Sequence, residues 1–260
     1  FEEYPNRREP DTLVTFVPQN NEFRYSAQDL MDFFGKNPAD NILLINPDNP
    51  SGNFIPVEDI CMLADWCEKR GVRLIVDESF VDFSEGWEQN SLLSDKILET
   101  YPHMLVMKSI SKSYGVPGIR LGILCSADVE IIAKIKKMVS IWNLNSFCEF
   151  FMQIYTKYEK DYKKACDRFI EERNDFEAKL RTIPFIRVIP SQANYFLVEV
   201  LHPFTAKTLV LRMLKEHNIL MRDCSGKGGF DGKQYMRIAV RNHEDNTRLI
   251  EALRKVGESK

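Results

Sequence analysis

Lys112 lies in MKSISKSYGVPGIRLG (107 to 122), flanked by small hydroxyl residues and followed by three glycines and Arg120. An amine attacks a carbonyl only when neutral, and a nearby guanidinium disfavours its protonation. Two other polar groups follow short apolar runs. Asn49 sits in PDNPSG behind NILLIN, and Asp77 sits directly after RLIV. Ser109, Ser111 and Arg120 form a third set, in which hydroxyls and a planar guanidinium fork suit phosphate oxygens. Gly115 and Gly118 would let the backbone come close.

Taken singly, these sets read as a turn, a helix N-cap and a helix start. Taken together they meet the needs of a phosphate-bearing pyridine aldehyde. Such a cofactor requires an amine for an imine (Lys112), a carboxylate for the ring nitrogen (Asp77) and a donor to the ring hydroxyl (Asn49). Ser109, Ser111 and Arg120 would hold its phosphate. An ionised Asp77 would keep the ring nitrogen protonated, so that the ring accepts electrons from a substrate carbanion.

The elements that must position these groups are legible in the apolar pattern. NILLIN (41 to 46), VRLIVDES (72 to 79) and MLVMKS (104 to 109) are short apolar runs of the kind that form buried parallel strands. VEDICMLADWCEKR (57 to 70) has Ile60, Leu63, Ala64 and Cys67 at helical spacing and Gly71 past its end. Strand, helix, strand alternation predicts an α/β sheet, whose ligands bind beyond the carboxyl ends of the strands. All three polar sets fall there. After LGILCS (121 to 126) the pattern over 128 to 180 is helical and charged, predicting a long connector. Strands IRVIP, ANYFLVEV and YMRIAV alternate with two amphipathic helices beyond it. The expected division is a large domain over 1–165, with its helical connector from about 128, and a small α+β domain over 166–260.

Composition narrows the partners. At 44% hydrophobic, 28% charged and net charge -3, the chain resembles an ordinary soluble globular protein, with no basic surplus for nucleic acid or an anionic membrane. The six cysteines include no C-x-x-C pair and are read as reduced thiols of a cytoplasmic protein. The four histidines lack ligand spacing, so no metal is expected. Small-molecule chemistry is the better expectation.

NPDNPSG (46 to 52), VDESF (76 to 80) and SISKSYGVPGIRLG (109 to 122) resemble, in order and spacing, the signatures of pyridoxal-phosphate enzymes of aminotransferase class I/II, fold type I. The similarity is nearest to the histidinol-phosphate aminotransferase and threonine-phosphate decarboxylase branch, and WNLNS (142 to 146) and ILMRDCSGKGG (219 to 229) fit it too. The resemblance implies pyridoxal 5'-phosphate as cofactor. It implies a Schiff base on Lys112, which also moves a proton, with Asp77 on the ring nitrogen and Asn49 on the ring oxygen. Ser109, Ser111 and Arg120 take the phosphate. Arg237 and Arg222 fall where the family and its histidinol-phosphate branch bind substrate anions. In YMRIAVR, alternation sets Arg237, Ala239 and Arg241 opposite Met236, Ile238 and Val240, as any solvated face would.

The function this implies is an aminotransferase acting on an amino acid or amino-alcohol phosphate, with small-molecule donor and acceptor and a homodimeric assembly. Decarboxylation of the threonine-phosphate type is the alternative, because Phe80 stands where many aminotransferases carry a tyrosine that donates to the ring oxygen. Another alternative is a non-catalytic fragment or assembly module that keeps the fold. A nucleotide-binding domain is a weaker choice, since neither G-x-G-x-x-G nor a P-loop occurs. The resemblance further implies family sequence ahead of FEEY, carrying part of the cofactor pocket.

Overall fold

The computed structural model describes residues 3–230 and 232–258; the opening phenylalanine lies outside them. The first sheet is built from β1 (Asn41–Ile45), β2 (Arg73–Asp77), β3 (Leu105–Ser109) and β4 (Gly122–Cys125), in that spatial order. β1, β2 and β3 run parallel, and β4 returns antiparallel on β3. Helices α1 (Ala27–Lys36), α2 (Val57–Glu68) and α3 (Asp95–Thr100) accompany the parallel strands. A capping box starts α1, in which Ser26 accepts from the Asp29 N–H while the Asp29 carboxylate accepts from the Ser26 N–H. Ile60, Leu63, Ala64 and Cys67 of α2 are buried as their spacing predicts, against Ile42, Leu44, Leu74 and Val76 of the sheet.

Register decides where the polar groups emerge. Ile45 pairs with Asp77, and Asp77 with Met107, so β1 and β2 end level and β3 runs two residues further in the same direction. The loops after β1, β2 and β3 therefore leave the same edge.

Two further helices follow, α4 (Val129–Met138) and α5 (Ser146–Leu180). Asn145 caps α5 by accepting from the Cys148 N–H at 3.1 Å. Helix α5 runs unbroken through residue 165, where the sequence suggests the division between domains. The second sheet has the order β5 (Ile186–Val188), β6 (Tyr195–Val200), β8 (Tyr235–Ala239), β7 (Arg222–Asp223), all antiparallel. One face of it, carrying Phe196, Val198, Met236 and Ile238, packs on α5, α6 (Ala206–His217) and α7 (His243–Glu258). Alternation along β6 turns Tyr195 and Leu197 to the other face. The six cysteines are free, and no described helix is long and apolar enough to cross a membrane.

Phe176 of α5 is fully buried in the second core, its ring 6.1 Å from that of Phe196 in an edge contact. Phe176→Ala is expected to destabilise the fold by about 3–5 kcal/mol, because the cavity adds to the lost transfer energy. Urea unfolding monitored by circular dichroism measures this.

Candidate active site

The loop after β1 is fixed from within. Asn46 donates to the Ile55 carbonyl at 2.9 Å and accepts from the Ile55 N–H at 2.8 Å, closing the turn that presents Asn49. Gly52 allows the close approach of the second lobe. Its φ is +73°, and a Cβ there would lie 2.0 Å from Ser191 Oγ. The Gln192 N–H donates to the Gly52 carbonyl at 3.0 Å, and the Tyr195 hydroxyl donates to the Asp48 carbonyl at 2.8 Å. Asn49 itself is buried and accepts a 2.9 Å hydrogen bond at Oδ1 from Arg237 Nη1. With Oδ1 committed, the amide NH2 of Asn49 remains the donating end.

Asp77 is buried at the end of β2, and both of its oxygens are engaged. Oδ1 accepts from the Ser79 N–H at 3.0 Å and from the Ser79 hydroxyl, the local turn that an aspartate two residues ahead favours. The same hydroxyl accepts from the Ser109 N–H at 2.9 Å, so one serine ties the ends of β2 and β3 together. Oδ2 accepts from the Tyr4 hydroxyl at 2.5 Å. Burial, followed by this hydrogen bond, pushes the Tyr4 phenol well above its ordinary pKa.

Lys112 is solvent-accessible, and its ammonium stands 5.0 Å from the centroid of the Phe80 ring. Its pKa is lowered, chiefly by desolvation; the Asp77 charge opposes that shift, and Arg120 and Arg237 add to it. A lysine from one loop thus feels the charges of a carboxylate from a second and of two guanidinium groups. Arg120, at a left-handed φ of 55°, reaches Ser111 Oγ at 3.4 Å and the Pro117 carbonyl at 3.3 Å. Ser111 is buried beneath it.

Arg237 also lies 5.0 Å over the Tyr195 ring, and it pairs in register with Arg222 on the neighbouring β7. Directly opposed residues share a sheet face, so the two arginines are neighbours. Arg241 instead pairs with Asp245 at 2.7 Å. His243 lies 3.2 Å from Glu172 and 3.8 Å from Asp175, a contact that joins α7 to α5.

Sequence reasoning missed Tyr4, Ser79 and Tyr195. Ser79 had a usable signal, the Asp-x-Ser spacing of a side-chain turn. Tyr4 had none, being 73 residues from its partner.

The Aminotransferase class I and II family model matches residues 12–253, and the chain belongs to that family. It is 30% identical over 259 residues to an L-serine phosphate decarboxylase of Campylobacter jejuni, with 97% of this chain and 65% of that protein covered. It is 34% identical over 218 residues to histidinol-phosphate aminotransferase 2 of Archaeoglobus fulgidus, covering 83% of this chain and 58% of that protein. The structure of a decarboxylase from Sulfurospirillum multivorans superposes with a TM-score of 0.82 at 28% identity, over 93% of this chain and 68% of that one. The chain therefore spans less than two thirds of the length of these curated relatives. The fold is that of the type I pyridoxal-phosphate enzymes, a mostly parallel sheet in a larger α/β lobe with a smaller α+β lobe, and enzymes of this family use pyridoxal 5'-phosphate.

The charge balance around Lys112 is directly testable. Asp77→Asn removes the attraction that holds its proton and should lower its pKa further, whereas Arg237→Met removes a repulsion and should raise it. Competitive acylation across pH, read by peptide mass spectrometry, gives both midpoints; shifts of the same sign would contradict this electrostatic account.

Proposed function

We propose that this chain forms the cofactor and substrate pocket of a pyridoxal-phosphate enzyme acting on an amino acid that bears a phosphate or a similar second anion. The observation that carries the reading is that Lys112 stands over the Phe80 ring while Arg237, from the other lobe, bonds Asn49 after β1, at the strand end where Asp77 is buried; desolvation lowers the lysine pKa toward the neutral, nucleophilic form. The donor set fits the cofactor. Lys112 is the amine for its aldehyde, buried Asp77 offers an acceptor to a ring N–H, and Asn49 Nδ2 donates to the ring oxygen. Ser109, Ser111 and Arg120 take the phosphate. When bound, the cofactor supplies the electron sink for a bond broken at the substrate Cα. Lys112 would move the proton at that carbon. Arg237 receives the substrate carboxylate, and Arg222 beside it receives the second anion.

Transamination and decarboxylation would share this apparatus, and the orientation in which Arg222 and Arg237 hold the substrate would decide between them. Two observations favour decarboxylation. Phe80, under Lys112, has no hydroxyl to donate to the ring oxygen, and similar proteins include decarboxylases of phosphorylated amino acids. The aminotransferase reading keeps support from the family and from its histidinol-phosphate relatives.

A homodimer is part of the same proposal. Met138, Ile141, Trp142, Phe147 and Phe150 are 87%, 90%, 91%, 74% and 59% exposed along one stretch from the end of α4 into the first turns of α5, an apolar band that a second copy would cover. Ile141→Glu with Trp142→Glu is expected to lower the molecular mass in analytical ultracentrifugation; an unchanged mass removes this band from the interface.

Borohydride reduction after adding pyridoxal phosphate should leave the adduct on Lys112, and its absence from that peptide would overturn the reading. With O-phosphoserine and O-phosphothreonine, released carbon dioxide measured against keto-acid-dependent amino transfer separates the two reactions. Asp77→Asn should retain the adduct while slowing either reaction by roughly 10²–10³-fold.

A further inference from the structure

Behind the Lys112 pocket, on the opposite face of the first sheet, three charged side chains are buried together. Lys108 is 6% exposed, Glu78 1% and Asp82 3%. They alternate with site residues along the chain: Asp77 faces the pocket and Glu78 the back, Met107 the pocket and Lys108 the back. Lys108 Nζ donates to Asp82 Oδ1 at 2.7 Å and lies 3.9 Å from Glu78 Oε1. Glu78 is otherwise satisfied, accepting from the Ser91 hydroxyl at 2.6 Å and the Leu92 N–H at 2.8 Å. Burial pushes its pKa upward, while the Lys108 charge opposes that. Among the described residues Asp82 hydrogen-bonds the lysine alone, its Oδ2 being buried without a hydrogen-bond partner. The close ion pair is therefore Lys108 with Asp82.

The pair spans two elements that must keep their spacing. Lys108 belongs to β3, whose next residues are Ser109, Ser111 and Lys112. Asp82 belongs to the 3-10 turn Val81–Phe83, which follows Ser79 and Phe80. On the pocket side Ser79 joins the same two elements, accepting from the Ser109 N–H and donating to Asp77. A shift of the 79–83 turn relative to β3 would break that relay, and Asp77 would lose the partner that sets its rotamer.

We propose that the buried Lys108–Asp82 ion pair is a latch that orients Asp77, acting from the far side of the sheet through the turn that carries Ser79. The two residues are positioning residues and touch neither cofactor nor substrate. The inference deepens the proposed function, because it concerns the carboxylate assigned there to the ring nitrogen. Burying an ion pair is an inefficient way to gain stability, since apolar residues of similar size commonly do as well. A directional contact at this place instead fixes geometry.

The test uses the cofactor-free chain, so its outcome is independent of whether Lys112 forms an imine. The readout is the pH midpoint of Lys112 acylation, measured alongside the melting temperature. Lys108→Met should move the midpoint in the same direction as Asp77→Asn, and Lys108→Met/Asp77→Asn should shift it no further than Asp77→Asn alone. Lys108→Arg, which keeps the pair, should restore the wild-type midpoint. Should Lys108→Met fail to fold, Lys108→Met/Asp82→Leu leaves no charge of the pair unmatched and is read in the same way. A lowered melting temperature with an unmoved midpoint, or midpoint shifts that add with Asp77→Asn, overturns the proposal and makes the pair a stability element alone. A borohydride adduct missing from wild-type Lys112 would overturn the imine assignment and leave the latch result standing.

Discussion

A lysine amine is a nucleophile only to the extent that its proton is driven off, and at Lys112 desolvation acts against the charge of Asp77. Desolvation drives the proton off Lys112, Asp77 holds it back, and Arg120 and Arg237 add to the desolvation. The balance requires a carboxylate that is close yet occupied. Asp77 meets the condition because both of its oxygens are engaged, one by Ser79 and one by Tyr4.

Parallel pairing does the first part of that work. Three strands that run parallel deliver their three following loops to one edge, whatever the loops contain. The second part comes from the smaller lobe. Arg237 crosses 188 residues of sequence to bond Asn49, Tyr195 reaches the Asp48 carbonyl, and Gly52 leaves room for Ser191. The loop after β1 is thus held by its own Asn46 on one side and by the second sheet on the other.

The strands, the helix α2 and the polar residues at the strand ends were legible because periodicity and strand-end position are local properties. Lys112, Asp77 and Asn49 stood out by their neighbours, and the family signatures ordered them. Arg237 was ambiguous for a local reason: alternation in YMRIAVR gives the same pattern for a solvated face as for a site. Its bond to Asn49 is long-range and leaves no trace in either segment. Tyr4 was invisible for the same cause, and so was the pairing of Lys108 with Asp82, since a lysine within a strand run usually marks an edge and here is covered. A continuous helical pattern over 128 to 180 was expected as one connector. It is two helices, because residues 139 to 145, with their asparagines, supply the cap of the second.

Helix α5 is 35 residues long, about 52 Å from end to end. Tyr162 on it stacks flat against Tyr114, two residues past Lys112, with centroids 4.1 Å apart and planes 7° from parallel. Fourteen residues further along the same rod, Phe176 is sunk in the other lobe's core. The lysine loop and the sheet that carries Arg222 and Arg237 are therefore gauged from one ruler. Whatever tilts that ruler moves amine and guanidinium groups in concert, so their mutual error stays small even where each is carried by a different lobe.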